Sequence, residues 1–470
     1  MWLRRWGWLL IVAVLALAVR LHHNLVEHPP GDFLFVDMRG YVDRADALLR
    51  QMWRILRGRP LPDDNPYDTL WPYGTHVLLF FVKLLTGPRF APAAAVVLAA
   101  LGAATSVLTA LLARELTHRR VIAFLVGALS AVYFPLISLG GYYLSEVPFA
   151  VCVTASAYLS LRLARRPRRA TAWLLGASLA LGATVRPQIL LYAAALLAVL
   201  ALSARARPAI PRVAAPIALV LVASAVRFHA ITGEVGLVSS NGAMNLVFGR
   251  CHNYVLDVEL PGFRMVFAPA AMGALRAHEV AHPRSPIRLD AAHVEPPPRG
   301  KGGAERAIAS RAPASRAPAA PSPLVVHAHL HDEEALRAVA ADCVKKTGIV
   351  RQIRYSLTHV VMLWHTNELW PDGDTPRWGG RVREWSWIHN RLILPAAAAA
   401  LLAGLARRRR GHLYLALPLA ALVSTAMIYF GDTRFRVPHD GILIALAADG
   451  YARAAKAVVR VLAAALAKLH

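Results

Sequence analysis

The chain has 470 residues, of which 56% are hydrophobic and 17% are charged, and its formal net charge is +25. Apolar runs of about 20 residues, the length that crosses a bilayer as a helix, recur along it. The composition therefore predicts an all-α polytopic membrane protein. It argues against a nucleic-acid-binding role for the positive charge, because the basic residues fall in short clusters between apolar runs, where membrane orientation explains them.

The N-terminus, "MWLRRWGWLLIVAVLALAVRL", combines a basic start with an apolar run, as a signal peptide does. No small-residue cleavage site follows, so we predict an uncleaved signal-anchor helix. About 10–12 transmembrane helices are expected, and the candidate spans are 6–21, 91–113, 121–138, 143–162, 171–185, 188–204, 210–229, 389–406, 411–430 and 437–452. The apolar segment 73–87 is short for a span, which favours a re-entrant or interfacial helix. The tail 453–470 is predicted to be a surface helix or a further span.

Basic clusters test this topology, because cytoplasmic loops carry an excess of Lys and Arg. With ten spans, "RELTHRR", "RLARRPRR", "RARPAIPR" and "RRRR" all fall on the side of the N-terminal "RR". The chain then divides into an N-terminal membrane module, 1–229, with a first outer loop, 22–90; a large outer loop, 230–388; and a C-terminal module, 389–470. Within the large loop, 283–325 is rich in Pro, Ala, Arg and Ser and is predicted to be disordered.

Three cysteines, Cys152, Cys251 and Cys343, are too few for a disulfide framework. Cys251 and Cys343 share the large outer loop, which leaves a disulfide between them open.

The first outer loop contains "DFLFVDMRGYVDRADALL" (32–49), whose apolar residues recur with helical period. One apolar stripe is formed by Met38, Val42, Ala45, Leu49 and Met52. We predict an amphipathic helix lying on the membrane, with Asp37 at its start and Tyr41 on the same face as Asp37. Asp37 is either a site residue or a helix-start residue that suits the helix dipole.

Two further charges are predicted on the outer face. In "GGYYLSEVPFA", Glu146 opens a span, where an acidic residue is costly unless it is paired or hydrated. In "GATVRPQ", Arg186 occupies a tight outer turn and requires an anionic partner. The alternatives are a helix-capping role for Glu146 and an internal ion pair for Arg186.

The strongest local signal is "YFGDTRFRVPHDGILIALA" (429–447), in which Asp432, Arg434, Arg436 and Asp440 crowd one outer turn. In an extended segment Arg434 and Arg436 would point the same way. Two guanidiniums so arranged can grip a phosphate, whereas the alternative is anchoring to lipid headgroups.

Two motifs in the large loop carry weaker signals. In "SSNGAMNLVFGR", Asn241 and Asn245 could hydrogen-bond a sugar, or the segment is simply a turn-rich loop. "HAHLH" (327–331) has the spacing of metal ligands but borders the low-complexity segment, so no metal site is assigned.

Taken in order, these motifs resemble the GT-C superfamily of integral-membrane glycosyltransferases. The similarity is closest to the bacterial branch related to protein O-mannosyltransferases and lipid A aminoarabinose transferases. It covers 1–280 and 330–455, and it rests on "VDMRGYVDRADALL", "NPYDTLWPYGTHVLLFFVKLLTG", "SEVPF", "TVRPQ", "NGAMNLVFGR" and "GDTRFRVPHDGILIALAADG".

The resemblance implies transfer of a sugar from a polyprenyl-phosphate carrier to a glycan, lipid or protein acceptor on the periplasmic face of a bacterial inner membrane, with the N-terminus in the cytoplasm. Asp37 matches the family's catalytic base, and Arg434, with Arg436, matches its grip on the donor phosphate. Tyr41, Glu146, Arg186, Asn241, Asn245 and Asp432 are further substrate-binding candidates. Residue 36 is valine where the family often has a second acid, which leaves the use of a divalent metal open.

The chemistry agrees with this assignment. A polyprenyl phosphate is a good leaving group, so one carboxylate base suffices, and direct displacement inverts the anomeric centre. No P-loop or Rossmann fingerprint occurs, and no nucleotide cofactor is expected. The alternatives are a transporter or flippase of polar lipids, which calls for broken helices in two related halves, and an O-antigen ligase or polymerase.

Overall fold

A computed structural model describes residues 2–34, 37–60, 66–251, 287–289, 324–326, 333–365, 369–372 and 377–467. The structure is helical apart from one short ribbon, so the predicted all-α polytopic class is confirmed. The α-helices, in chain order, are α1 (Trp2–His22), α2 (Asp37–Leu56), α3 (Gly74–Thr86), α4 (Phe90–Thr117), α5 (Arg120–Val132), α6 (Phe134–Ser138), α7 (Glu146–Arg165), α8 (Arg169–Val185), α9 (Ile189–Ala201), α10 (Ile210–Thr232), α11 (Asn241–Arg250), α12 (Glu333–Thr347), α13 (Ile349–His365), α14 (Gly379–Ile388), α15 (Leu394–Ala406), α16 (Arg410–Ile428), α17 (Thr433–Arg436) and α18 (Asp440–Leu466).

Six helices in the described part of the chain are long and apolar enough to cross a membrane. They are Trp6–Asp32, Gly74–Thr117, Glu146–Arg165, Arg207–Thr232, Gly379–Ala406 and Arg410–Ile428. Arg120–Val132 and Phe134–Gly141 are bent by 55° and would make a seventh span if the pair crosses as one.

This number is lower than the predicted ten to twelve, although a helix lies at each of the ten predicted places. The reason is local. Helices α8 and α9 have only 17 and 13 residues, because the turn at Arg186 and Pro187 separates them. Helix α18 begins at Asp440 and carries further charges along its length.

The structure assigns a helix to each of the two apolar segments, 453–470 and 73–87, whose relation to the membrane the sequence left open. Residues 453–466 of the tail do not form a separate helix, because α18 runs without a break from Asp440 to Leu466. The short segment 73–87 forms α3, which leads through one turn into α4, and the two together make up the span Gly74–Thr117.

Helix α2 is the amphipathic helix expected in the first outer loop. It begins at Asp37, whose carboxylate suits the positive end of the helix dipole. Met38 and Ala45 of the predicted stripe are fully buried. Next to the stripe, Asp46 forms an ion pair with Lys83 of α3, with 2.5 Å between Oδ1 and Nζ. The apolar stripe therefore fixes which way Asp37 and Tyr41 can face.

The structure divides into two compact units. The first comprises residues 1–239, 360–426 and 431–470, and its helices approach closely at small residues. A Cβ on Gly176 of α8 would lie 2.5 Å from the backbone carbonyl of Val213 in α10, so only glycine fits this crossing.

The second unit comprises residues 240–359 and 427–430. A disulfide joins Cys251 to Cys343, whose Cα atoms are 5.2 Å apart, which settles the pairing that the sequence left open. Arg250 of α11 donates to the Ile428 carbonyl and, at 3.0 Å, to the Ser356 hydroxyl.

Within the range predicted to be disordered, Ile287–Leu289 forms a three-residue strand, β1. It pairs antiparallel with β2, Leu324–Val326, in the register Ile287 with Val326. The rest of 283–325 lies outside the described residues, so its disorder stays a prediction.

Candidate active site

Four charged side chains from four separate segments meet at helix ends of the first unit. Asp37 opens α2, Glu146 opens α7, Arg186 follows the last residue of α8, and Arg434 lies in the short helix α17. The predicted catalytic and phosphate-binding residues are thus brought into direct contact, although up to 397 positions separate them in the chain.

Arg434 forms the centre of this network, because it pairs with two carboxylates. Its Nε lies 2.9 Å from Oε1 of Glu146, and its Nη1 lies 3.5 Å from Oδ2 of Asp37. The contact with Asp37 is therefore the longer and weaker of the two. The side chain of Glu146 is completely buried, whereas that of Asp37 is 17% exposed.

Arg186 holds Glu146 from a second direction. Its Nη2 pairs with the same oxygen, Oε1, and its Nε donates to the Ser145 hydroxyl at 2.9 Å. Ser145 in turn donates to Oε2 of Glu146 at 3.4 Å. The internal ion pair considered for Arg186 is therefore present, and it places two guanidinium groups on one carboxylate beside Asp37.

Aromatic rings cover the guanidinium groups. Arg434 lies 4.7 Å from the ring centre of Trp370 and 5.3 Å from that of Phe435, and Arg186 lies 5.0 Å from the Phe435 ring. Such stacking holds the planar cations in place while leaving their edges for hydrogen bonds. Trp370 was not among the predicted site residues. A tryptophan in a predicted polar loop was the signal that could have indicated it.

Asp432 positions Arg434 through the backbone. Its Oδ1 accepts a hydrogen bond from the Arg434 backbone N–H at 2.7 Å and so caps α17. Burial raises the pKa of Asp432 above its ordinary value, although Arg434 opposes the shift. For Arg434, burial lowers the pKa, but Glu146 and Asp37 outweigh burial and raise it overall. The guanidinium therefore remains charged.

Tyr41 lies one helical turn after Asp37 and is 4% exposed. Burial raises the pKa of its hydroxyl, and the Asp37 carboxylate adds to the effect. The phenol is therefore neutral and can donate a hydrogen bond at this site.

Arg434 and Arg436 would point the same way only in an extended segment, and the structure has a helical turn at Thr433–Arg436 instead. The turn sends Arg436 into the protein, where its Nε lies 3.1 Å from Oδ1 of Asp440. The two side chains are 1% and 0% exposed. The predicted role of Arg436 as a phosphate ligand therefore finds no support in this geometry.

Asn241 and Asn245 lie on α11 of the second unit, and their sugar-binding role stays a prediction. The HAHLH motif at 327–331 lies outside the described residues. Among the residues that are described, no group of three or more His, Cys, Asp or Glu side chains is placed to hold a metal ion.

The family model of dolichyl-phosphate-mannose-protein mannosyltransferase matches residues 88–228, which is less than half of the chain. Glu146 and Arg186 lie inside this range, whereas Asp37 and Arg434 lie outside it. No curated protein is significantly similar to the chain.

Among solved structures, the chain is similar to the oligosaccharyltransferase of Archaeoglobus fulgidus. Its apo form is 14% identical, with a TM-score of 0.46 over 98% of this chain and 52% of that chain. The oligosaccharyltransferase AglB of the same organism, in complex with an inhibitory peptide and a dolichol-phosphate, is 14% identical, with a TM-score of 0.43 over 99% of this chain and 52% of that chain. The chain spans about half the length of these structures, and a likeness at this level carries no argument about function.

The family match over 88–228 confirms the resemblance to the GT-C superfamily of membrane glycosyltransferases that the order of the sequence motifs indicated.

Proposed function

We propose that this protein is a glycosyltransferase that moves a sugar from a polyprenyl-phosphate donor to an acceptor hydroxyl on the periplasmic face of a bacterial inner membrane. One observation carries the proposal. Arg434 bridges Asp37 and Glu146, so a carboxylate base and a cation for the leaving phosphate lie side by side. The family match, which includes Glu146 and Arg186, supports a lipid-linked donor.

Asp37 acts as the general base in this proposal. Its side chain is partly exposed, so an acceptor hydroxyl can reach it, whereas Glu146 is completely buried. The acceptor oxygen attacks the anomeric carbon while its proton passes to Asp37, and the bond between that carbon and the phosphate oxygen breaks. The bonding electrons leave with the polyprenyl phosphate, and displacement from the opposite side inverts the anomeric centre.

Arg434 and Arg186 stabilise the negative charge that grows on the departing phosphate. In the structure they pair with Asp37 and Glu146, so a phosphate must replace one of these two partners. The 3.5 Å contact between Arg434 and Asp37 is the weakest and is the one that the donor displaces. Donor binding then leaves the Asp37 carboxylate available to the acceptor, while Glu146 keeps both guanidiniums in place.

Two features support the periplasmic location. Glu146, Arg186 and Arg434 lie at or just beyond ends of α7, α8 and α16, and the opposite ends of these helices carry the arginine-rich clusters that the predicted topology assigns to the cytoplasm. The disulfide between Cys251 and Cys343 belongs to the loop on that same predicted face, and disulfides persist in oxidising compartments.

The proposal is tested with purified protein, a panel of hexosyl- and pentosyl-polyprenyl phosphates, and membrane extracts as the source of glycan, lipid and protein acceptors. The measured quantity is release of polyprenyl phosphate. Asp37→Asn is expected to lower turnover by about 10²–10⁴-fold, the usual contribution of a general base.

Asp43→Asn is the matched control, because Asp43 lies on the same helix, is exposed, and undergoes the same change of charge and shape. It should keep full turnover, and both variants should keep the thermal midpoint of the unaltered protein. Full activity of Asp37→Asn would remove Asp37 as the base. Absence of turnover with every donor in the unaltered protein would contradict the proposed reaction.

A further inference from the structure

The far end of α2 carries a cluster of arginines that the proposed reaction does not use. Arg50, Trp53, Arg54, Arg57 and Arg59 line an open groove of about 610 Å³, a volume that includes solvent at its mouth. We name this feature the arginine groove. The Arg57 guanidinium lies 6.0 Å from the ring centre of Trp53, and Nη1 of Arg54 donates to the Pro60 carbonyl at 3.1 Å.

The helical register concentrates this charge on one face. Residues 50, 53, 54 and 57 follow the spacing i, i+3, i+4 and i+7, so their side chains are neighbours on the helix surface. Like charges at this spacing repel each other and weaken an isolated helix. Arg50, Arg54 and Arg57 share this face, and Arg59 follows just after the helix end, so the repulsion among them favours a site that an anion occupies.

Carboxylates in the described part of the chain do not neutralise the groove. The ion pairs that α2 forms there involve Asp37, Arg44 and Asp46, all of them nearer its N-terminal end. The side chains of the groove are instead open to solvent.

Exposed apolar side chains accompany the arginines. Trp53, Ile55 and Leu56 are 47%, 62% and 66% exposed. Tryptophan and arginine next to aliphatic side chains are typical of the membrane–water interface, where the ring and the apolar chains enter the lipid and the cations meet headgroup phosphates. An acidic partner in solution would leave Ile55 and Leu56 exposed to water.

We infer that the arginine groove binds the phosphates of anionic phospholipid headgroups. Charge complementarity selects an anionic lipid over a zwitterionic one, and the exposed apolar side chains select a lipid over a soluble phosphate. At about 1.5 Å per residue, Arg50 lies roughly 20 Å along the helix from Asp37. Lipid bound there fixes the far end of the helix that carries Asp37 without entering the active site, and the inference stands whether or not the proposed reaction is correct.

The test is a local measurement in nanodiscs. A Leu56→Cys variant in a Cys152→Ala background carries a fluorophore next to the groove, and brominated phosphatidylglycerol or brominated phosphatidylcholine serves as quencher. Anionic lipid should be enriched at the label by at least about five-fold over zwitterionic lipid, the effect of one arginine at a charged membrane surface. The enrichment should fall as sodium chloride is raised to about 1 M, where charges are screened within about 3 Å.

The decisive variant replaces Arg50, Arg54, Arg57 and Arg59 together by Gln, and the enrichment should then disappear. Its matched control replaces Arg407, Arg408, Arg409 and Arg410 by Gln, which removes the same charge from another exposed cluster and should leave the enrichment unchanged. Circular dichroism and size-exclusion chromatography show whether each variant is folded; if the groove variant is not, single replacements of Arg50 and Arg57 carry the test. Equal quenching by both lipids in the unaltered protein, or enrichment that survives in a folded groove variant, would overturn the inference.

Discussion

Arg434 and Arg436 stand two residues apart in one helical turn, yet they belong to ion-pair clusters of opposite kinds. Arg434 is 14% exposed and pairs with Asp37 of α2 and Glu146 of α7. Arg436 is 1% exposed and pairs with Asp440 of the helix that follows directly, with Tyr133 donating to the same carboxylate at 3.0 Å. The first cluster joins distant segments at a partly exposed site, and the second is a buried ion pair inside the helical core.

This contrast shows how one sequence motif supplies both a site and its support. A charge in a partly open cluster can exchange its partner for a ligand at modest cost. A charge in a dry cluster cannot, because leaving its partner unpaired costs several kcal/mol. We therefore assign phosphate binding to Arg434 and a structural role to Arg436, and the following experiments test that division.

The largest effect on stability is expected at Arg436. Arg436→Gln leaves the Asp440 carboxylate buried without its cation, which should lower the free energy of unfolding by about 3–5 kcal/mol. Thermal unfolding in detergent micelles measures the change. Adding Asp440→Asn to Arg436→Gln removes the stranded charge and should recover part of the loss. A thermal midpoint of Arg436→Gln equal to that of the unaltered protein would show that the buried Arg436–Asp440 ion pair does not stabilise the fold.

Arg434→Gln should lower turnover and leave the stability of the fold largely unchanged. Glu146 keeps Arg186 as a partner, so the fold should hold, whereas turnover of the polyprenyl-phosphate donor should fall by about 10²–10³-fold, as on loss of one transition-state donor. Arg39→Gln on the exposed side of α2 is the matched control and should be fully active. If Arg434→Gln unfolds the protein while retaining turnover in the folded fraction, the assignments of the two arginines are exchanged.

A smaller effect is expected at Glu146, which holds both guanidiniums but is not exposed to the acceptor. Glu146→Gln keeps the shape of the side chain and loses its charge. The loss of charged hydrogen bonds to the two arginines should cost about 1.5–3 kcal/mol, which lowers kcat/KM for the donor by roughly 10–100-fold. We expect most of the loss in KM for the donor, because the arginines lose their common anchor. A loss in kcat alone, with KM unchanged, would instead point to a direct role for Glu146 in the chemical step.

The recurring apolar runs were sufficient to predict the helical class. The motifs also singled out Asp37, Arg186 and Arg434, which the structure brings together, but they did not reveal that Arg436 points away. The period of Met38 and Ala45 already fixed the face on which Asp37 lies, because a buried apolar stripe leaves one rotation for the helix. The count of spans was predicted less well, since apolar composition does not reveal that α8 and α9 are too short by themselves.

The sequence by itself determined that charged turns follow apolar helices, because hydropathy and charge patterns are local properties of the chain. Only the tertiary structure decided which charges share a partner. Alternation in the sequence placed Arg434 and Arg436 together, but the helical turn capped by Asp432 separates them. Trp370 and Asp37 reach Arg434 from distant segments, and long-range packing of this kind has no local signature in the sequence.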